Sequence, residues 1–331
     1  MKKISFTLIS TLVLLSMFLS ACGSATPAAP AAPATAAPAN AASYKGTIGI
    51  SGAFALYPMM TVWADEFKKL HPDVQFDVQG GGAGKGMTDA LSGAVDIGMV
   101  SRSIAPEEIS KGAFWVSVTK DAVFPVISAN NPVVKDILAK GISQDTFKKI
   151  FITGEIKTWG EVVGKPEIKD TINVYTRSDS AGAGEMWAKF SGGKVQGDIK
   201  GVGVNGEPAL VDTVIKDPLG IGYSNLNSVF DVTSGGLVAG AVVPPVDIDK
   251  NGQVDPGEYY KSMADAVSAV SSGKYPSPPS RFENLVTKGK PDGLVKLFIE
   301  WILTDGQKDL SQAGYVPLTP DQQAESLAKL K

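Results

Sequence analysis

Glycine, serine and arginine recur where apolar runs give way to helix-like ones, and those residue types suit the capture of an anion. From Phe76 to Arg102 the chain reads FDVQGGGAGKGMTDALSGAVDIGMVSR. A β-type run with Phe76 and Val78 ends in Gly80, Gly81 and Gly82, and a helix-like segment opens around Ala83, Gly84, Lys85 and Gly86. Backbone N–H groups bared by such a turn face an anion readily. A second apolar run, Val95 to Val100, delivers Ser101 and Arg102 at its own end. The same join of strand to helix start recurs at Ser51–Gly52–Ala53–Phe54–Ala55 and at Arg177–Ser178–Asp179–Ser180–Ala181–Gly182. Ligands of open α/β sheets sit beyond the carboxyl ends of strands, so three such turns can converge on one cleft.

A different chemistry is written between Asp247 and Glu258. Asp247, Asp249 and Asn251 stand at positions one, three and five of an EF-hand-type calcium loop. Gly252 takes the turn position and Val254 the apolar one. Gln253 would give its carbonyl, Asp255 would act through water, and Glu258 would bind through both oxygens. Hard oxygen ligands at this spacing suit a structural Ca2+. The alternative is an acidic Asx-turn loop without metal. Pro244 and Pro245 oppose a regular helix before the loop, so a single loop followed by one helix from Glu258 to Ser271 is expected.

Little material exists for catalysis. His71 is the only histidine and Cys22 the only cysteine, so a Ser–His–Asp triad or a histidine metal site has little material and a disulfide has none. The run GGGAGKG fails as a P-loop, because Gln79 stands five residues before Gly84 and Gly86 follows Lys85. The pairs Asp65–Glu66 and Glu107–Glu108 read as solvated helix faces. The five tryptophans read as packing. No enzyme is expected.

The elements that must hold these residues begin after a long N-terminal preamble. Lys2 and Lys3 precede an apolar stretch from Ile4 to Leu19, the layout of a secretory signal peptide over residues 1–21. Leu19–Ser20–Ala21–Cys22 resembles the bacterial lipobox, which would make Cys22 a lipidated N-terminus. The alternative is a signal anchor with an incidental cysteine. Residues 23–43 are almost wholly Ala, Pro, Gly, Ser and Thr and read as an extended tether. The 331 residues hold 31 basic and 34 acidic side chains, a formal net charge of −3, and loss of Lys2 and Lys3 makes it −5. A basic field for nucleic acid is therefore absent. From Thr47 onward, strand and helix patterns alternate. Strands are expected at 47–51, 122–127, 172–175, 221–223 and 284–287, and helices at 58–70, 143–150, 185–190 and 294–303. That order argues an α/β fold with largely parallel sheets.

Four stretches in order carry a family resemblance: the glycine segment above, ISQDTFKKIFITGEIKTWGEVVG (142–164), VYTRSDSAGAGE (174–185) and ENLVTKGKPDGLVKLFIEWILTDGQKDLSQAGYVPL (283–318). The chain resembles the PstS-like substrate-binding lipoproteins of phosphate ABC importers. The resemblance implies a two-lobed periplasmic-binding-protein fold, type II-like, with the ligand cleft between lobes. Lobe one would be 44–122 plus 226–331, lobe two 123–225, with hinge crossings near Asp121–Val126 and Tyr223–Leu226. It implies a monomer, anchored to the extracytoplasmic face of a membrane through its lipid, that captures phosphate or a similar oxyanion and delivers it to an ABC permease. The implied ligand set is Ser51, Ala53, Phe54, Ala55, Ala83, Gly84, Ser101, Arg102, Arg177, Ser180, Ala181, Gly182 and Ala183. Here the chain departs from the family pattern. Alanines stand at 53, 55, 83, 181 and 183 in turns where the family usually carries Ser or Thr, and Arg102 stands where some members have an acid. Each absent hydroxyl removes a donor from a site that excludes water. Either nearby serines compensate, or the pocket suits another anion or an organic acid, or the fold serves a non-transport sensor or adhesion component.

Overall fold

The computed structural model describes residues 44–331; the signal-like segment, Cys22 and the tether fall outside the described residues. Among the described residues eleven strands, all but β9 and β10 separated by helices, are β1 (Gly46–Gly52), β2 (Val74–Gly80), β3 (Ile97–Val100), β4 (Ala113–Ser128), β5 (Ile142–Ser143), β6 (Asn173–Arg177), β7 (Val202–Val204), β8 (Gly220–Asn225), β9 (Ala241–Val242), β10 (Val246–Asp247) and β11 (Ser280–Lys288). The main sheet runs β2-β1-β3-β11-β4-β8-β6-β7, with β9 beside β4. β1 pairs parallel with β2 and β3, and β6 parallel with β7 and β8. β11 and β4 run antiparallel to their neighbours, so the sheet is mixed instead of largely parallel. The antiparallel strands are the two that carry the chain between lobes.

β4 decides the architecture. Its first half pairs with β11 as far as Ala122↔Ser280, and its second half pairs with β8 from Val123↔Asn225. Two hydrophobic cores lie on either side of that switch. One gathers Ile48, Ile50, Trp63, Phe67, Phe298 and Trp301. The other gathers Phe124, Phe147, Phe151, Trp159, Trp187 and Tyr223. The helix Tyr57–Leu70 shows why the first core forms. Met59, Met60, Trp63, Ala64 and Phe67 are buried along one stripe, Pro58 sits in its first turn, and His71 before Pro72 ends it. Trp63 is fully buried and donates its indole N–H to the Gly306 carbonyl at 2.8 Å.

The second crossing lies later than expected. Phe230, Val243, Val246, Tyr260, Met263, Ala266, Ala269, Val270 and Tyr275 all pack in the second core, so the chain stays with lobe two well beyond residue 226. It returns only with β11, whose Leu285 and Val286 enter the first core. The reason is apolar demand. Tyr275 stacks on Phe124 at 4.4 Å between ring centroids, and Tyr260 meets the same ring edge-on. The acidic loop therefore belongs to lobe two, where β10 pairs with β5. The helix after the loop is also shorter than expected. It spans Met263–Ser271, because Ser262 caps it and accepts the Asp265 N–H at 3.2 Å.

Candidate anion-binding cavity

Each of the three turns is shaped by bonds that leave N–H groups over. In the first, the Ala53 N–H donates to the Met99 carbonyl at 2.9 Å, and the Leu56 and Tyr57 N–H groups fold back onto the Ala53 carbonyl. Gly52 takes φ +135°, and a Cβ there would lie 2.3 Å from the Met99 oxygen, so only glycine fits. In the second turn the Gly81 and Gly82 N–H groups both donate to the Gly52 carbonyl at 3.0 Å, and the helix Ala83–Ser92 begins. The third follows β6. The Arg177 N–H donates to the Tyr223 hydroxyl at 3.1 Å, and Gln196 donates to the carbonyls of Arg177 and Asp179 at 2.9 and 2.7 Å. Gln196 also accepts the Ala181 N–H at 2.8 Å, just before the helix Gly182–Phe190.

Among the described residues, the N–H groups of Phe54, Ala55, Ala83, Gly182 and Ala183 have no acceptor. All five residues line one cavity of about 10 Å³, together with Ala53, Gly82, Ser101, Arg177, Ala181, Glu207 and Asn225. Two of its walls are the first turns of helices, where the dipole is positive. The lobes are closed on it. The Gly84 N–H donates to the Ser180 carbonyl at 3.2 Å across the gap, and a Cβ on Gly182 would lie 2.2 Å from the Ser101 Oγ.

Arg177 is the cation of the cavity. Its Nε donates to Asp179 at 2.7 Å, its Nη2 to the other Asp179 oxygen, and its Nη1 to Glu207. Its guanidinium lies over the Phe54 ring, 5.2 Å from the centroid, which joins the two lobes by a cation–π contact. Burial works against ionisation of Asp179, but the Arg177 pair and the Gly206 N–H outweigh it and hold the carboxyl below its ordinary value. Burial likewise disfavours the Arg177 charge, and its two carboxylates outweigh that and raise its pKa. Glu207 is itself buried; it accepts the Asn225 N–H at 2.7 Å and the Ser224 hydroxyl.

The chain matches the model of the PBP superfamily domain over residues 34–306. It is 30% identical over 323 residues to a phosphate-binding protein PstS of Bacillus subtilis, covering 96% of each chain. It is 27% identical over 329 residues to a phosphate-binding protein PstS of Methanocaldococcus jannaschii, covering 83% of this chain and 84% of that one. The chain belongs to the PstS-like family of the PBP superfamily. Solved structures share the fold. A candidate phosphate ABC transporter substrate-binding protein from Clostridium perfringens, with bound phosphate, superposes with a TM-score of 0.67 at 23% identity, over 83% of this chain and all of that one. An ABC-type phosphate transport receptor from Vibrio cholerae gives 0.60 at 21% identity, over 82% and 100%.

Against the ligand set that the PstS-like resemblance implies, the cavity gathers Ala53, Phe54, Ala55, Ala83, Ser101, Arg177, Ala181, Gly182 and Ala183. It does not gather Ser51, Gly84, Arg102 or Ser180. The buried Ser51 hydroxyl is spent on Asp89 at 2.7 Å. Gly84 and Ser180 meet each other at the rim. Arg102 points away because Glu108 takes its guanidinium by both oxygens, at 2.9 and 2.7 Å, and Glu185 of the other lobe takes its Nε at 3.3 Å. Glu108 is accordingly no solvated carboxylate: it also caps the Ala105 N–H at 2.8 Å. Gly82, Glu207 and Asn225 are cavity residues that sequence reasoning missed. Gly82 lay inside the glycine run, whereas Glu207 reads in sequence only as an acid at a helix start.

The acidic loop gathers part of its expected set. One oxygen each of Asp247, Asp249 and Glu258 lies within 4.8 Å of the others. Asp247 and Glu258 are buried, and Gly252 takes φ +72° at the turn position. Asn251 turns its amide nitrogen toward Asp249 (3.0 Å) and Asp255 (2.7 Å), while its oxygen accepts the Gln253 N–H at 2.7 Å.

Proposed function

We propose that this protein captures phosphate, or an oxyanion of like size and charge, between its lobes and hands it to an ABC importer. The observation that carries this reading is the convergence of one buried arginine and five N–H groups, without acceptors among the described residues, on one small cavity between the lobes. Relatives named as phosphate-binding proteins over nearly the whole chain support the same ligand. A cavity of about 10 Å³ holds about one water, so a compact oxyanion demands less opening of the cleft than an organic acid with an apolar part beside Phe54. Tyr57, an aromatic residue just after the first turn, does not line the cavity and is 37% exposed. The activity is binding, not turnover. In the same reading the protein is an extracytoplasmic monomer, Cys22 carries the lipid that holds it at the membrane, and Ca2+ stiffens the loop Asp247–Glu258.

Isothermal titration with phosphate, sulfate, molybdate and small carboxylates tests the ligand, with Arg177→Ala as control. Heat with an oxyanion that Arg177→Ala loses is the expected result. Absence of heat with every oxyanion refutes the reading, and heat with carboxylates alone moves it to an organic acid. Turnover of a phosphoester would overturn the assignment as a binding protein. A Cys22→Ala chain that still fractionates with membranes would refute the lipid anchor.

A further inference from the structure

One buried cation lies outside the cavity, where strands of both half-sheets meet. Arg281 stands opposite Asp121 in the β4–β11 ladder, one pair short of the point where β4 exchanges β11 for β8. Its Nε donates to Glu283 of β11 at 3.1 Å, and its Nη2 to Asp121 of β4 at 3.0 Å. The same Nη2 donates to the side-chain oxygen of Asn225 on β8. Three strands from both half-sheets thus meet on one guanidinium, 6% exposed, at the switch between lobes.

The chain of bonds continues into the cavity. Asn225 lines it, and its backbone N–H holds Glu207 at 2.7 Å. Glu207 in turn holds Arg177. A buried ion pair is weak evidence for stability, since apolar side chains of similar volume serve at least as well. What a planar guanidinium does supply is a rigid fork with fixed angles between its acceptors. Were the lobes to rotate about β4, Asn225 would move relative to Glu283, and a fork of fixed angles would lose one of its acceptors.

We propose that Arg281 is a positioning residue for the anion cavity: through Asn225 and Glu207 it fixes Arg177, and it holds the two half-sheets at the angle that closes the lobes. This rests on the reading of the cavity as the anion site. The experiment is a cycle of the full chain, Arg281→Lys, Glu207→Gln and the double variant. It is read by phosphate titration and by hydrogen exchange of segments 80–86 and 178–184. Arg281→Lys keeps the charge but not the fork. A cooperative urea transition, a phosphate Kd weakened about tenfold and faster exchange of both segments are expected. In the Glu207→Gln background the same change weakens binding less than it does in the wild type, because one of its two routes, the link to Arg177, is already cut, while the faster exchange of both segments persists. Should Arg281→Lys not fold, Asn225→Ser keeps the N–H to Glu207, removes the contact with Arg281, and must reproduce the two effects. Unchanged affinity and exchange in a folded variant, or full additivity in the double variant, overturns the proposal. Should the wild-type chain take up no phosphate, the reading of the cavity fails, and exchange in the same cycle still decides the role of Arg281.

Discussion

Replacing Glu283 by glutamine should abolish a loss of stability that the wild-type protein suffers between pH 6 and pH 8. Glu283 is fully buried; its Oε1 accepts from Arg281, and its Oε2 has no partner among the described residues. Burial, followed by the nearby carboxylates of Asp121 and Glu207, outweighs the help of Arg281 and pushes its pKa from 4.5 to about 8. The folded chain therefore keeps a proton that the unfolded chain has released. Stability from this group is complete below the unfolded value and is lost as pH rises through about 8. One proton retained across most of that window makes folding weaker by about 2 kcal/mol between pH 6 and pH 8. Asp121, raised to about 6 by burial, loses its share mainly below that range. The raised tyrosines Tyr275 and Tyr315 titrate above it. Urea denaturation at pH 6, 7 and 8, at constant ionic strength, reads the difference. Glu283→Gln should match the wild type at pH 6 within about 1 kcal/mol and exceed it by about 2 kcal/mol at pH 8. Parallel curves for the two proteins would refute the buried neutral acid. So would a loss of about 3–5 kcal/mol at every pH, the signature of a broken buried ion pair.

Gly182→Ala places a methyl 2.2 Å from the Ser101 Oγ and 2.4 Å from its carbonyl, across the closed cleft. Urea stability should stay within about 1 kcal/mol while phosphate affinity falls at least about tenfold; a variant that binds as the wild type does would mean that closure is not this tight. Arg102→Ala loses ion pairs with Glu108 and Glu185 but no cavity wall, so titration should find phosphate Kd within about threefold of wild type. Loss of binding equal to that of Arg177→Ala would return Arg102 to the site. Addition of Ca2+ at about 100 times its Kd should raise stability by about 2.7 kcal/mol, seen as a rise in Tm, and Asp247→Ala should erase the rise; equal Tm values with calcium and with chelator would empty the loop of its metal.

The three turns were legible in the sequence because glycine placement has a local cause. Gly52 and Gly82 take positive φ, and the apolar runs around them mark where strands end. Arg177 was legible for the same reason, as the last residue of a strand before small residues. The direction of Arg102 was not, because it depends on Glu108, an acid that its own helix start explains equally well. Glu207 was hidden likewise: nothing local separates an acid that faces solvent from one buried against Arg177. The lobe boundary failed on a longer scale. The apolar stripe Met263, Ala266, Ala269 and Val270 demands a core but does not name which of two. The pairing of Arg281 with Asp121 spans 160 residues, beyond any periodicity that a local reading detects.

The alanines of the cavity leave fewer donors than the family pattern provides, yet an anion held there, as proposed, would not be short of partners. Among the described residues five backbone N–H groups of the cavity have no acceptor, and three of the five N–H bonds of Arg177 are committed, to Asp179 and Glu207, which leaves two uncommitted. These donors differ from hydroxyls in one respect: they cannot rotate to meet an oxygen. The Met99 and Gly52 carbonyls and the Gln196 amide fix the turns before any ligand arrives. Nor does net charge draw the anion in, since Arg177 faces two carboxylates. Fixed dipoles gain their strength only when water is excluded. Donors from the two lobes reach one anion only when the lobes close, so affinity here depends on how completely they meet. That requirement explains the bare contacts at the seam. Gly82 and Gly84 lie against Ser180, and Gly182 lies against Ser101, so close that a single Cβ at any of the three glycines would hold the lobes apart. In a cavity walled by hydroxyls a slightly open cleft would still bind, whereas on the proposed reading of this one the glycines would set the affinity.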